Sequence, residues 1–400
     1  MSTAVLNQTL GVSSLADKML KAAVRFWFMV ILIGQLIFSF TVASFYGLTA
    51  MRGNLAVWNK VLAHGYIPGD RLGNAALITH IASAAFIVLA GAIQLLPQIR
   101  NRFPVFHRCL GRLYIVTAFS VSLAGLYLMW VRGTVGDLPQ HLGTSLMAAL
   151  ILVFAVMALR YAMARDFKTH RRWALRLYLT VSASLFIRAG IFLSLLLNQG
   201  AFGFDPATFT GPFLTFISFA QYLIPLAVLE IYLYVQERPT AWRRFAMATT
   251  LFLLTLGMGA GILGATIGAF LPNLKKAYDS RISIAETLSA TIASTGVDAA
   301  VAQYRGLKSG GVNGYNFDED ELNALGYQLL KAKKFDAAIR VFQLNIEAYP
   351  NSANTYDSLG EAYAKVGEKE KAIQNYEKSL ALDPKNDNAR ERLKKLKESE

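Results

Sequence analysis

Seven long apolar runs occupy the first two thirds of the chain and constrain its fold more than any other feature. A helix needs about 20 apolar residues to cross the hydrocarbon core of a bilayer, whereas a barrel strand needs only about ten. The predicted spans cover residues 24–49, 75–97, 109–131, 142–163, 173–197, 212–235 and 245–271. The sequence therefore predicts an all-α protein whose residues 1–271 form a polytopic transmembrane helical bundle.

The composition agrees with a membrane protein. Charged residues make up 16% of the 400 positions and apolar residues 54%, whereas about a quarter of a soluble domain is charged. The net charge of +14 arises entirely within residues 1–271, which indicates a bias in the loops and not a nucleic-acid surface. The one cysteine, Cys109, excludes an intramolecular disulfide.

The loop charges predict the orientation of the bundle. Sixteen Lys and Arg residues lie in the N-terminal segment and near the second, fourth and sixth loops, and four lie near the other loops. Because basic loops stay in the cytoplasm, we expect a cytoplasmic N-terminus in a bacterial inner membrane. An odd number of spans then places the chain after residue 271 outside the cytoplasm.

The C-terminal part contains an internal repeat of 34 residues. Shifting the chain by that period superposes Leu325-Gly326 on Leu359-Gly360, Ala338 on Ala372, Phe342 on Tyr376 and Pro350 on Pro384. This pattern resembles the tetratricopeptide repeat, a helical hairpin that binds proteins. The sequence predicts two repeats over 319–386, a capping helix over 387–400, and a linker with a degenerate helical pair over 272–318. The resemblance implies a protein partner.

Four histidines stand near the start of successive predicted spans: His80, His107, His141 and His170. Because successive spans run antiparallel, His80 and His141 would share the outer end, and His107 and His170 the cytoplasmic end. A haem with two axial histidines takes one imidazole from each of two facing helices. The pattern predicts two candidate haem b sites and is similar to that of transmembrane two-haem cytochromes b that carry electrons from ascorbate.

Arginines accompany both candidate sites. Arg188 lies inside span five, 18 residues after His170, or about 27 Å along a helix, which places it near the outer histidines. A charge within the hydrocarbon needs an anionic partner. The cytoplasmic end carries further candidates: Arg108, Arg112, Arg171, Arg172 and Arg176. We expect these arginines to contact haem propionates or lipid phosphates.

Other interpretations stay open. Stripes of small residues follow the histidines along their helices, and such stripes, like basic residues at span ends, are also ordinary packing and anchoring features. A zinc-dependent hydrolase of the progestin and adiponectin receptor type is disfavoured, because spans two to five contain no Asp or Glu and no His follows residue 170. A transporter would show internal repeats or helices broken near the middle of the membrane.

The motif set resembles a known family. The segment "THIASAAFIVLAGAIQLLPQIRNRFPVFHRCLGRLY", followed by "THRRWALRLY" and Arg188, is similar to bacterial polytopic membrane proteins of unknown function, domain-of-unknown-function family 2306. The resemblance covers about residues 60–240 and implies a compact helical membrane domain without an established activity. We therefore expect a membrane-anchored scaffold that recruits a partner through its repeats, with haem-based electron transfer as the alternative.

Overall fold

Two groups of helices make up the chain, Met1–Tyr278 and Asp279–Glu400. We call them the membrane domain and the tail. The computed structural model describes residues 3–53, 55–62, 64–206, 208–278, 281–311 and 314–398.

The membrane domain is built of long helices joined by short loops. Its helices are α1 (Thr3–Met51), α2 (Arg71–Leu95), α3 (Pro97–Arg102), α4 (Pro104–Tyr127), α5 (Leu138–Met163), α6 (Phe167–Val181), α7 (Ala183–Asn198), α8 (Pro212–Glu237), α9 (Ala241–Ala265) and α10 (Leu271–Tyr278). A 3-10 turn covers Leu55–Lys60, and π-helical turns extend α4 through Leu128–Gly133 and α9 through Thr266–Phe270. The last candidate span covers Ala241–Lys275, so it extends four residues beyond the predicted end at residue 271.

Within the described ranges, six helices are long and apolar enough to cross a bilayer, and α6 with α7 provides a seventh when the two are counted as one span. The predicted helical bundle is therefore confirmed. The fifth predicted span differs from a straight helix, since α6 and α7 meet at 47°. Ser182 stands at the break, and its Oγ donates to the carbonyl oxygen of Tyr178 at 2.7 Å. Such back-bonding commonly bends helices.

Acidic residues are few in this domain, and three of them begin helices. The side chains of Asp70, Asp137 and Asp166 accept hydrogen bonds from backbone amides in the first turns of α2, α5 and α6. A carboxylate at this position satisfies amides that have no partner within the helix and interacts favourably with the helix dipole. These carboxylates therefore set helix starts.

Glycines bring the helices of the bundle close together. A Cβ atom at Gly261 of α9 would lie 2.1 Å from the carbonyl oxygen of Ala189 in α7, so only glycine fits there. A Cβ atom at Gly91 of α2 would lie 2.9 Å from the ring of Tyr178 and 3.1 Å from the ring of Tyr114. Small residues serve this purpose in membrane helices generally. The glycine-rich last span and the stripe on span two are therefore packing surfaces.

The tail consists of successive helical hairpins. Its helices are α11 (Ile284–Thr295), α12 (Val297–Ser309), α13 (Glu319–Lys331), α14 (Phe335–Ala348), α15 (Ala353–Lys365), α16 (Lys369–Leu382) and α17 (Asp387–Glu398). The paired helices are those of the repeat pattern, with α11 and α12 as the preceding pair. Two short strands, β1 (Ile282–Ser283) and β2 (Tyr315–Asn316), pair in parallel within the predicted linker.

The glycine and the aromatic residue of each repeat pack against each other in the same way. Phe342 and Tyr376, one in the second helix of each repeat, are buried. A Cβ atom at Gly326 would lie 2.4 Å from the Phe342 ring, and one at Gly360 would lie 3.0 Å from the Tyr376 ring. Each aromatic ring therefore occupies the space that its glycine leaves open.

Candidate functional site

The first candidate site is the set of four histidines, and each of them is partly buried in the membrane domain. His80 lies on α2 against α4. Its Nδ1 donates to the carbonyl oxygen of Val121 at 3.0 Å, and a Cβ atom at Gly125 would lie 3.0 Å from its ring. The hydrogen bond through Nδ1 assigns the lone pair of the neutral ring to Nε2.

At the other end of the bundle, His107 and His170 each occupy the fourth position of a helix, α4 and α6 respectively. His170 Nδ1 donates to the carbonyl oxygen of Ala158 at 2.8 Å, again leaving Nε2 with the lone pair. His107 Nδ1 is buried without a hydrogen-bond partner among the described residues. Gln94 of α2 donates to the His107 carbonyl oxygen at 2.9 Å and holds the start of α4 against α2.

His141 has different neighbours from His80. Its ring makes an edge contact with Trp130, with centroids 5.8 Å apart, and its Nε2 lies 3.4 Å from Thr134 Oγ1 and from the carbonyl oxygen of Val135. His107 and His170 therefore stand at equivalent helix positions, whereas the described contacts seat His80 and His141 on different partners. Haem binding stays a prediction for all four.

The basic residues near the starts of α4 and α6 fall into two groups. Arg176 donates through Nε and Nη2 to both carboxylate oxygens of Glu230 at 2.7 and 2.9 Å, and its guanidinium lies 4.6 Å from the Trp173 ring. Arg172 pairs with Glu237. These two arginines join α6 to α8 and already have anionic partners. The exposed arginines are Arg108, Arg112 and Arg171, which are accessible to lipid phosphates.

Arg188 lies in α7, and its guanidinium points into the bundle. Nη1 donates to the carbonyl oxygen of Ser184, one turn earlier, at 2.5 Å. The guanidinium carbon lies 4.9 Å from the Phe38 ring centroid. Electrostatic neighbours are Tyr46 and His80, both uncharged in their ordinary states. Among the described residues, no carboxylate forms an ion pair with Arg188.

Sequence reasoning missed a buried polar network at the break between α6 and α7. Gln35 of α1 donates to Ser182 Oγ at 2.8 Å and accepts from the Tyr178 hydroxyl at 3.2 Å. These three side chains are buried, and they connect α1 to the break between α6 and α7. A lone glutamine in the apolar first span was the available signal, but its partner lies 147 positions away in the sequence.

The second candidate site is the face formed by the first helices of successive tail hairpins. The Tyr327 hydroxyl of α13 lies 3.3 Å from Ser358 Oγ and 3.2 Å from Glu361 Oε2, both on α15. Asn388 of α17 donates to Asp357 Oδ2 at 2.8 Å. We call this surface, on α13, α15 and α17, the inner face.

Burial alters the acid–base behaviour of the inner face. Removal from water raises the pKa of the Asp357 carboxyl above its ordinary value, and the hydrogen bond from Asn388 only partly offsets this. Burial also raises the pKa of the Tyr327 hydroxyl to about 12. Asp357 Oδ1 is buried without a hydrogen-bond partner in the described part of the chain. The inner face therefore holds a carboxylate in a poorly solvated place.

Together, the apolar spans and the paired helices of the tail define a multi-pass membrane protein with an appended repeat module. Residues 77–232 match the family described as predicted membrane protein (DUF2306), and residues 353–386 match the tetratricopeptide repeat. The chain therefore contains a domain of the DUF2306 family followed by a tetratricopeptide repeat, as its motifs predicted.

The chain is also similar to one plant protein over a short stretch. It is 34% identical over 76 residues to the tetratricopeptide repeat domain-containing protein PYG7, chloroplastic, of Arabidopsis thaliana. The match covers 19% of this chain and 25% of the plant protein. The similarity is therefore confined to a short part of each protein.

Proposed function

We propose that this protein is a membrane-anchored scaffold that recruits a protein partner through the inner face of its tail. The observation that carries the proposal is the arrangement of α13, α15 and α17, whose first-helix side chains meet across successive hairpins. Tyr327, which keeps 37% of its surface exposed, offers an aromatic contact there. Aromatic side chains are enriched among the residues that dominate binding energies.

The test compares two charge reversals. Asp320 is exposed and lies seven residues before Tyr327, on the same side of α13. Asp336 is exposed in the first turn of α14, in the second helix of the hairpin. Photo-crosslinkers are placed beside each site in the full chain in native membranes. In the wild type, the crosslinker on the inner face should give a product that contains this chain and its protein partner. We expect Asp320→Arg to abolish that product and Asp336→Arg to leave its yield unchanged. Equal retention by both variants would contradict the proposal.

We further propose that the bundle crosses the bacterial inner membrane seven times, with the N-terminus in the cytoplasm and the tail outside. Counting α6 and α7 as a full crossing is supported by their length. Residues 167–198 extend about 48 Å at 1.5 Å per residue, and a bend of 47° leaves both halves progressing in the same direction. That length exceeds the roughly 30 Å of the hydrocarbon core.

A fusion of alkaline phosphatase, which is active only outside the cytoplasm, tests this topology. An active enzyme fused after Glu400 agrees with seven crossings. An inactive fusion that accumulates normally would indicate six crossings, with α6 and α7 forming a re-entrant segment. A second fusion in the loop after Arg238 should be inactive under seven crossings, because that loop follows span six.

The second candidate function is electron transfer through b-type haem. It is favoured by the hydrogen bonds from Nδ1 of His80 and His170 to backbone carbonyl oxygens, since metal-binding histidines commonly use their second nitrogen in this way. Protein purified from haem-replete cells should show a Soret band that shifts on reduction. His170→Ala should remove about half of the bound haem, because one of two irons loses an axial ligand. Haem-free protein would exclude this function.

A further inference from the structure

We propose that the Arg188 guanidinium is the centre of a binding site, inside the membrane domain, for the carboxylate of an amphiphilic molecule. The inference is independent of the scaffold function and of haem binding. It depends on where the Arg188 guanidinium lies, which way it points, and which charges surround it.

The depth of the site follows from the helix positions of Arg188 and of His80, its neighbour on α2. His80 lies nine residues after the start of α2, and Arg188 lies ten residues before the end of α7. At 1.5 Å per residue these positions are about 14 and 15 Å from the helix ends. The two residues therefore lie at matching depth, and that depth is within a hydrocarbon core about 30 Å thick.

Arg188 does not reach toward the membrane surface. A long basic side chain near a helix end usually extends toward the head groups. Arg188 instead donates to Ser184, one turn farther from the end of α7, and packs over Phe38, which lies 13 residues before the end of α1. The guanidinium is therefore directed toward the middle of the bundle, away from phosphate groups at the interface.

The charge of Arg188 is uncompensated in the described structure. Arginine stays protonated in proteins, and a charged group in the membrane interior is costly unless it is paired. Its electrostatic neighbours are the Tyr46 hydroxyl and the His80 ring, and neither carries a negative charge at neutral pH. Arg176 of α6, the other arginine within the fifth predicted span, forms an ion pair with Glu230. Arg188 is the residue that needs an anion from outside the chain.

A carboxylate fits these donors. The planar guanidinium can donate two parallel hydrogen bonds to a carboxylate, and Nη1 is the atom already used by Ser184. The apolar surroundings require that the rest of the ligand be hydrocarbon, so a long-chain carboxylic acid suits the site better than a soluble anion. A phospholipid phosphate is disfavoured, because it stays charged and would have to leave the interface, whereas a carboxylic acid can enter the hydrocarbon in its neutral form and ionise beside the guanidinium.

Binding of radiolabelled oleate to the full chain in detergent tests the proposal. We expect the labelled oleate to bind saturably and to be displaced by unlabelled oleate. Oleyl alcohol, which lacks the negative charge, should not displace it. Arg188→Gln should weaken binding by about 10- to 100-fold, the effect of losing a charge-assisted hydrogen bond. Arg112→Gln, which removes an exposed arginine of α4, should bind like the wild type. Arg188→Lys keeps the charge but lacks the planar fork that donates two parallel hydrogen bonds, so it should weaken binding several-fold and serves if Arg188→Gln does not fold.

Mass spectrometry of solvent extracts identifies the natural occupant. A fatty acid that is present in the wild type and depleted in Arg188→Gln supports a carboxylate site. Depletion of a phospholipid alone would overturn the carboxylate assignment. Equal oleate binding by wild type, Arg188→Gln and Arg188→Lys, each eluting as a folded protein, would overturn the site altogether.

Discussion

A methyl group added at Gly326 should destabilise the tail when Phe342 is present and stabilise it when Phe342 is alanine. A Cβ atom at position 326 would lie 2.4 Å from Cε1 and 2.5 Å from Cζ of the Phe342 ring, which is fully buried. Overpacking of this kind costs about 1–3 kcal/mol, while alanine gains about 1 kcal/mol over glycine in a helix. The net effect of Gly326→Ala is therefore a loss of about 0–2 kcal/mol.

Removing the ring reverses the sign. Phe342→Ala should cost about 3–5 kcal/mol, since it opens a cavity in the tail core. In that variant the methyl group of Gly326→Ala enters the vacated space, so packing and helix propensity both favour it. The four proteins should then show a coupling energy of about 1–3 kcal/mol between the two positions, which is within the range for residues in contact.

Urea unfolding of residues 279–400, followed by circular dichroism, measures this cycle. We expect that segment to fold alone, because it forms its own compact unit and its own hydrophobic core. A stabilising osmolyte in every sample keeps the Phe342→Ala proteins folded in the absence of urea. Gly306 is the matched control, since nothing lies within 4 Å of a Cβ atom there. Gly306→Ala should stabilise both backgrounds equally. Additive effects of Gly326→Ala and Phe342→Ala would refute the contact.

Three further outcomes are expected. Asp357→Asn should stabilise the tail against urea at neutral pH, because burial raises the pKa of the Asp357 carboxyl and its ionisation therefore disfavours folding. The difference in stability between the variant and the wild type should shrink as the pH falls from the raised pKa toward the ordinary value near 3.8, where the carboxyl is protonated in both states. Glu230→Gln should lower the melting temperature of the detergent-solubilised protein, since it leaves the Arg176 guanidinium without its carboxylate partner. The double variant Glu230→Gln, Arg176→Gln should recover part of that loss. Gly261→Ala should lower that melting temperature more than Gly257→Ala, whose new Cβ atom would make an ordinary contact at 3.5 Å.

Local sequence features predicted most of the architecture. The spans were predictable because a membrane helix must satisfy its own backbone and present apolar side chains over about 20 residues. The tail was predictable because every repeat must present the same packing groups to its neighbour, which makes the glycine of one helix and the aromatic residue of the next recur at a fixed period. Both requirements act over one helix or one hairpin.

The break within the fifth span was not predictable in this way. The segment around Ser182 reads as a continuous apolar run, and serine alone is common in membrane helices. The bend depends on the Ser182 hydroxyl, which bonds to Tyr178 in its own helix and to Gln35 in α1. The second of these bonds exists only when distant helices have packed together.

The candidate sites likewise have features that the sequence predicts and features that only the packing decides. The chain order placed His107 and His170 at one end and His80 near Arg188, since antiparallel helices of known length determine depth. Chain order carries no information on rotation about a helix axis or on side-chain rotamers. Those decided that Arg176 bonds to Glu230, that His141 contacts Trp130, and that Arg188 points inward over Phe38. The sequence thus determined where the apolar helical segments form and the position of each polar residue along them, but not the break at Ser182. Only the tertiary structure decided which of those residues meet, because contacts across helices depend on packing angles set by the whole bundle.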